Sequence, residues 1–304
     1  MKLVIGTRSS ELALWQANFV KAELEKKHPD LSVELKHVKT KGDRILDVAL
    51  DKIGDKGLFT KELELELLSG SIDLAVHSLK DLQTTVPDGL KISTICKRHN
   101  VQDVFISNEK NIGIRDIPQG ATIATGSLRR KGQVLAIRPD LNIVDLRGNI
   151  NTRIGKYLES DWAGIILACA GVERIGLEKH ISSYIPIDDI LPAVGQGALA
   201  IEIADNRPDL EDILSSINDD ETEIAITAER SFLKALGGGC QTPIAAYARR
   251  VDGKMMIKGL VASVDGKKVL TAGIWFTDDK AEHAGKVLAE QILGKGGMKI
   301  LIKN

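Results

Sequence analysis

The chain has 304 residues, 43% hydrophobic and 27% charged, an ordinary globular composition that suits two or three domains at ~100–200 residues each. Its 41 Lys and Arg against 42 Asp and Glu leave a formal charge of -1, which excludes a global basic field for nucleic acid but not a local basic cleft. No apolar run approaches the ~18 residues of a membrane helix, and the N-terminal run is cut short by Arg8, so neither an anchor nor a secretory signal is expected and the cytoplasm is the expected location. Cys96, Cys169 and Cys240 are widely spaced with no CxxC pair, so neither a disulfide framework nor a metal site is expected.

In chain order, residues 2–5 form a short apolar strand, Gly6 permits a turn, and Ser9 or Ser10 caps a helix. Leu12, Trp15, Phe19 and Ala22 recur at helical spacing and are expected to face the core. A strand over 33–40 precedes a Gly-, Lys- and Asp-rich loop at 41–57, expected to be mobile at least in part. A helix over 58–69 stops at Gly70, and strands follow at 72–76 and 92–96. The alternation restarts near Asp103, with strands expected at 103–107, 121–125, 142–146 and 163–169 and helices at 127–138, 150–159 and 171–178. Strands interleaved with helices imply parallel sheets with crossovers. Residues 186–203, with two prolines and two glycines, look like a crossing between domains that ends in an apolar strand. The tail has a helix at 221–236, strands at 244–250, 255–263 and 267–276, and a helix at 279–293, an α+β pattern.

Three strand-to-helix junctions share one chemistry: Gly6-Thr7-Arg8-Ser9-Ser10, Thr125-Gly126-Ser127-Leu128-Arg129-Arg130, and Leu146-Arg147-Gly148-Asn149-Ile150-Asn151-Thr152-Arg153. Free N–H groups and the helix dipole favour anions there, and Arg adds a planar fork for carboxylate or phosphate. Any one Arg taken alone reads as a surface or ion-pair residue; the set of Arg8, Arg129, Arg130, Arg147 and Arg153 implies a small polyanion in a shared cleft. Carboxylate is favoured, since neither GxxxxGK[ST] nor GxGxxG occurs. Val76-His77-Ser78-Leu79-Lys80-Asp81 ends another strand. Asp81 there is either a proton-handling carboxylate or a partner of Lys80 or of a turn, while His77 reads as structural. Cys96 and Cys169 read as small core residues. Cys240, in Gly237-Gly238-Gly239-Cys240-Gln241-Thr242-Pro243, is either a modified or reactive thiol with room beside it or part of a common helix end.

These segments, together with Leu12-Ala13-Leu14-Trp15-Gln16, Lys56-Gly57-Leu58-Phe59-Thr60-Lys61-Glu62, Ala170-Gly171, Leu191-Pro192-Ala193-Val194-Gly195-Gln196-Gly197 and Thr227-Ala228-Glu229-Arg230, closely resemble the porphobilinogen deaminase family, in the family's order and over nearly the whole chain. The resemblance implies an α/β fold: two similar domains, like those of bilobed solute-binding proteins, with mixed, mostly parallel sheets, plus a smaller α+β C-terminal domain. The expected division is 1–98 plus 193–217, 99–192, and 218–304. It implies a dipyrromethane cofactor, thioether-linked to Cys240, on which four porphobilinogens are joined head to tail with loss of ammonia to give hydroxymethylbilane. It gives Asp81 the proton chemistry, with Arg8 and Gln16 near the reacting end. Arg8, Arg129, Arg130, Arg147, Arg153 and Arg174 become clamps for acetate and propionate, and Lys80, Ser78, Thr125 and Ser127 supporting cofactor contacts. It makes 41–57 a lid, porphobilinogen the small-molecule partner, and the chain a monomer with neither nucleic-acid nor membrane partners. Gly126 departs from the Ser that many family members carry, and a modest effect is expected. The competing expectation is a two-lobed carboxylate-binding protein without catalysis.

Overall fold

The computed structural model describes residues 1–40, 60–239 and 242–302. The expected loop at 41–57 and Cys240 lie outside the described residues. The chain divides into two compact units, Met1–His99 with Ala198–Glu223, and Asn100–Gly197 with Ile224–Asn304.

The first unit is built on a five-stranded sheet of β1 (Lys2–Thr7), β2 (Ser32–His37), β3 (Leu74–Ser78), β4 (Leu90–Ile95) and β10 (Leu199–Ala204), in the order β2-β1-β3-β10-β4. β1 pairs in parallel with β2 and β3, whereas β10 runs antiparallel between β3 and β4. Helices α1 (Glu11–Lys27), α2 (Lys61–Leu68) and α6 (Pro208–Ser215) flank it. Its central strands are apolar almost throughout, as strands covered on both faces require. The exceptions include His77 of β3 and Glu202 of β10, both buried, with His77 Nε2 3.0 Å from Glu202 Oε2. His77 is thus structural, since a polar group at this depth needs a partner. The buried face of α1 is Gln16, Ala17, Val20 and Leu24, not the expected Leu12, Trp15, Phe19 and Ala22. Of the expected four, Phe19 does pack, partly buried, against that core, and it stacks on Trp15 with 5.4 Å between ring centroids.

The second unit repeats the plan. β5 (Asp103–Ile106), β6 (Thr122–Ala124), β7 (Asn142–Val144), β8 (Gly164–Ala168) and β9 (Ile181–Tyr184) form a sheet in the order β7-β6-β8-β5-β9. β6 is parallel to β7 and β8, and β5 runs antiparallel between β8 and β9. Counting strands within each unit, both sheets follow the order 2-1-3-n-4, where n is the strand at a crossing between units. The sheets are therefore mixed and mostly parallel, as expected, with four strands of each five running the same way and one antiparallel. α3 (Leu128–Ile137), α4 (Ile150–Leu158) and α5 (Cys169–Arg174) each follow one of its parallel strands.

The tail adds α7 (Asp220–Ala235), an antiparallel sheet of β11 (Ile244–Val251), β12 (Lys254–Ala262) and β13 (Val269–Phe276), then α8 (Ala281–Gly294) and α9 (Gly297–Leu301). It has its own core, centred on Phe232, Ile257 and Leu288. The chain returns to the first unit at Ala198. The cause is local bonding: Gly195 N donates to Glu229 of α7, and Gln196 Nε2 donates to Val101 O.

Candidate functional site

Each unit presents a polar cluster at the carboxyl ends of its parallel strands, where ligands bind in open α/β sheets. In the first unit, Arg8 follows β1 and Ser78-Leu79-Lys80-Asp81 follows its neighbour β3, so pairing of the two strands brings them to one edge. Thr7 Oγ1 donates to Ala13 O (3.1 Å) and Ser10 Oγ accepts from Ala13 N (3.4 Å), which fixes the turn into α1. Gln16 is buried, and its Nε2 donates to Ser78 Oγ at 2.7 Å. That bond ties α1 to the end of β3. Leu79 is buried and anchors a short 3-10 turn, beyond which Asp81 stands exposed while Lys80 and Arg8 are half-buried.

In the second unit, neighbouring strands β6, β7 and β8 bring three junctions together. Ser127 caps α3 by accepting from Arg130 N, and its own N–H donates to Thr125 Oγ1 (3.4 Å). Asn149 caps α4, accepting from Thr152 N at 2.8 Å. Arg147 donates Nε to Asp145 (3.1 Å) and Arg153 donates Nε to Gly148 O (2.7 Å); both are half-buried. Arg174, at the end of α5, is buried with Nη2 on Gly197 O (2.8 Å). Gly126 is held by space: a Cβ there would lie 2.6 Å from Leu146 O. The Gly-to-Ser difference is thus steric as well as a lost hydroxyl.

Arg129 and Arg130 are buried and grip Asp103, which opens β5 and is 1% exposed. Their Nη2 atoms donate to Asp103 Oδ2 and Oδ1, each at 2.8 Å, and their Nη1 atoms to Leu191 O (2.8 Å) and Ile166 O (3.1 Å). Gln196 Nε2 adds a third bond to the carboxylate, 2.8 Å from Oδ1. Burial opposes the charge on Asp103, but the two guanidinium groups and their hydrogen bonds outweigh it and hold the carboxyl well below the usual carboxylate range. Sequence reasoning missed Asp103 and Gln196. A charged residue at the head of the apolar run Asp103-Val104-Phe105-Ile106 was the available signal, since buried charges are almost always paired.

The expected core cysteines, Cys96 and Cys169, are both buried; burial, then Glu173, pushes the Cys169 thiol up. Before Cys240, α7 ends in a left-handed Gly237 (φ 65°), with Gly238 N donating to Leu233 O (3.0 Å). A Cβ on Gly238 would strike Ile244 and Leu233, whereas Gly239 faces open space. Among the described residues no cluster of His, Cys, Asp and Glu fits a metal ion, and no helix is long and apolar enough to cross a membrane.

Fold and site together define an α/β protein with cationic, hydroxyl-rich strand ends suited to a ligand with several carboxylates. Among solved structures, the methionine-binding protein MetQ gives a TM-score of 0.43 at 12% identity, covering 73% of this chain and 92% of its own. Sequence relatives are close. The model of the porphobilinogen deaminase dipyromethane cofactor binding domain matches residues 3–212, and that of the porphobilinogen deaminase C-terminal domain matches 223–294. The porphobilinogen deaminase of Syntrophomonas wolfei is 53% identical over 299 residues, 98% of this chain and 97% of the relative. That of Carboxydothermus hydrogenoformans is 51% identical over 300 residues, 99% and 96% of the two chains. The chain belongs to the porphobilinogen deaminase family, and with it to the transferases that carry a dipyrromethane cofactor.

Proposed function

We propose that this chain condenses four porphobilinogens head to tail, with loss of four ammonia molecules, and releases hydroxymethylbilane by hydrolysis with one water. The observation that carries this reading is the whole-length relationship at about half identity, supported by a cationic site whose chemistry fits the group. A dipyrromethane bears acetate and propionate on each ring, four carboxylates in all. The donor set of Arg129, Arg130, Arg147, Arg153 and Arg174, with Lys80, Ser78, Thr125 and Ser127, suits such a tetra-anion. When bound, it supplies a primer pyrrole carbon for attack, held through a thioether to Cys240.

The protein's own residues do the rest. Arg8 and Gln16 orient the incoming substrate. Asp81 gives a proton to the departing amine and takes one from the pyrrole. Its carboxylate also stabilises the cationic substrate fragment left when ammonia departs. It stands exposed at the strand end beside Lys80. The chain works in the cytoplasm as a monomer, on a small molecule alone, with domains at 1–98 plus 193–217, 99–192, and 218–304.

Intact mass of the denatured chain tests this. The expected mass exceeds the sequence value by two deaminated porphobilinogen units, and Cys240→Ser lacks the increment. A bare mass that persists after incubation with porphobilinogen would overturn the proposal in favour of a carboxylate-binding protein.

A further inference from the structure

We propose that Asp103 is a positioning residue: it fixes Arg129 and Arg130 in the orientation that receives the cofactor's carboxylates, and Gln196 holds Asp103 in turn. This rests on the reading that those arginines serve the cofactor. Each guanidinium is bonded at both terminal nitrogens to acceptors on different elements: Arg129 to Asp103 and Leu191 O, Arg130 to Asp103 and Ile166 O. A planar group held at two corners cannot turn about its own axis. One acceptor is itself braced, since Leu191 exchanges hydrogen bonds with Gln133 through both its N–H (2.8 Å) and its C=O (3.0 Å). Among the described residues the Nε atoms of both arginines are buried without a partner.

The charge balance argues against a device for stability alone. One carboxylate would be neutralised by one arginine; here two share it, so the buried triad keeps a net positive charge. That charge sits at the first turn of α3, where the helix dipole is already positive. Burying unbalanced charge is costly, and the arrangement makes sense where an anion completes it. Asp103 has no part in proton transfer, because its carboxyl is fully committed to donors.

The test uses the full-length chain made in a host that produces no porphobilinogen. Apo-protein is incubated with porphobilinogen, and covalent mass gain is followed over time and substrate concentration, with thermal unfolding and far-UV circular dichroism alongside. In Asp103→Asn one carboxylate oxygen becomes an amide donor facing a guanidinium. Loading is expected to slow on the order of 10²-fold, the scale of an ångström's misplacement, and to require more porphobilinogen for half-maximal rate. Gln196→Ala, which leaves both ion pairs in place, is expected to shift the same two quantities less, with an unchanged spectrum. A purely structural role would lower the melting temperature and leave the concentration dependence unmoved. A folded Asp103→Asn chain that loads like wild type overturns the proposal. If that variant does not fold, wild-type loading by Gln196→Ala does so. A wild-type chain that gains no mass overturns the cofactor reading, and this proposal with it.

Discussion

Asp81 stands outside the packed body of its unit, because the buried anchor of its turn is Leu79. Removing its carboxylate therefore separates chemistry from folding. Asp81→Ala is expected to lower ammonia release ~10²–10⁴-fold, the usual worth of a general acid–base, while stability moves by no more than ~0.5 kcal/mol. Near-normal turnover would remove the role assigned to Asp81. Asp103 is the opposite case. Asp103→Asn is expected to cost about 3–5 kcal/mol in urea unfolding, as breaking a buried ion pair does. Its pH dependence follows from the depressed carboxyl: the stabilisation is complete above the unfolded value of about 3.9 and is lost as pH falls below it toward the folded value. Acid melting curves of wild type and Asp103→Asn should thus converge below about pH 4. Gly126→Ser places a Cβ 2.6 Å from Leu146 O and is expected to lower stability by ~1–3 kcal/mol, the range for overpacking. The motif arginines were legible from sequence because strand-end position and residue type agree. The partner that immobilises two of them was not, since it lies over twenty residues upstream in a different strand.

At the scale of elements, most helices and strands were legible because their apolar spacing is periodic and their ends carry caps. Ser10, Ser127 and Asn149 all accept the expected first-turn N–H. Asn149→Ala is expected to cost ~0.5–2 kcal/mol in thermal unfolding, and to weaken anion binding at α4 if that turn receives carboxylate. What escaped has physical causes. The direction of β5 and β10 was hidden because a short apolar run looks the same whether its neighbours are parallel or antiparallel. The face of α1 was misjudged because a large aromatic pair was weighed above Gln16 and Ala17. β9 was lost because Ile181-Ser182-Ser183-Tyr184 carries no apolar run, and α6 was too short to show a period.

For the whole molecule, the order 2-1-3-n-4 recurs in both units with opposite bookkeeping: n is β5, first in sequence, in one, and β10, last in sequence, in the other. The first unit is accordingly discontinuous. A fragment of residues 1–99 lacks β10, which sits between β3 and β4, and so exposes two unpaired edges. It is expected to show no cooperative thermal transition by circular dichroism; a sharp one would refute the dependence. The same topology sets a schedule on the ribosome. The sheet that begins second is complete once Tyr184 has emerged, whereas the one that begins first must wait for Ala204. At ~5–20 residues per second of synthesis, β4 waits roughly 5–20 s for its partner strand, and β1 roughly 10–40 s for the sheet to be complete. The N-terminal half of the chain, which carries Asp81, is thus the last of the two to close, and a nascent chain stalled before residue 199 would hold a finished second sheet beside an open first one.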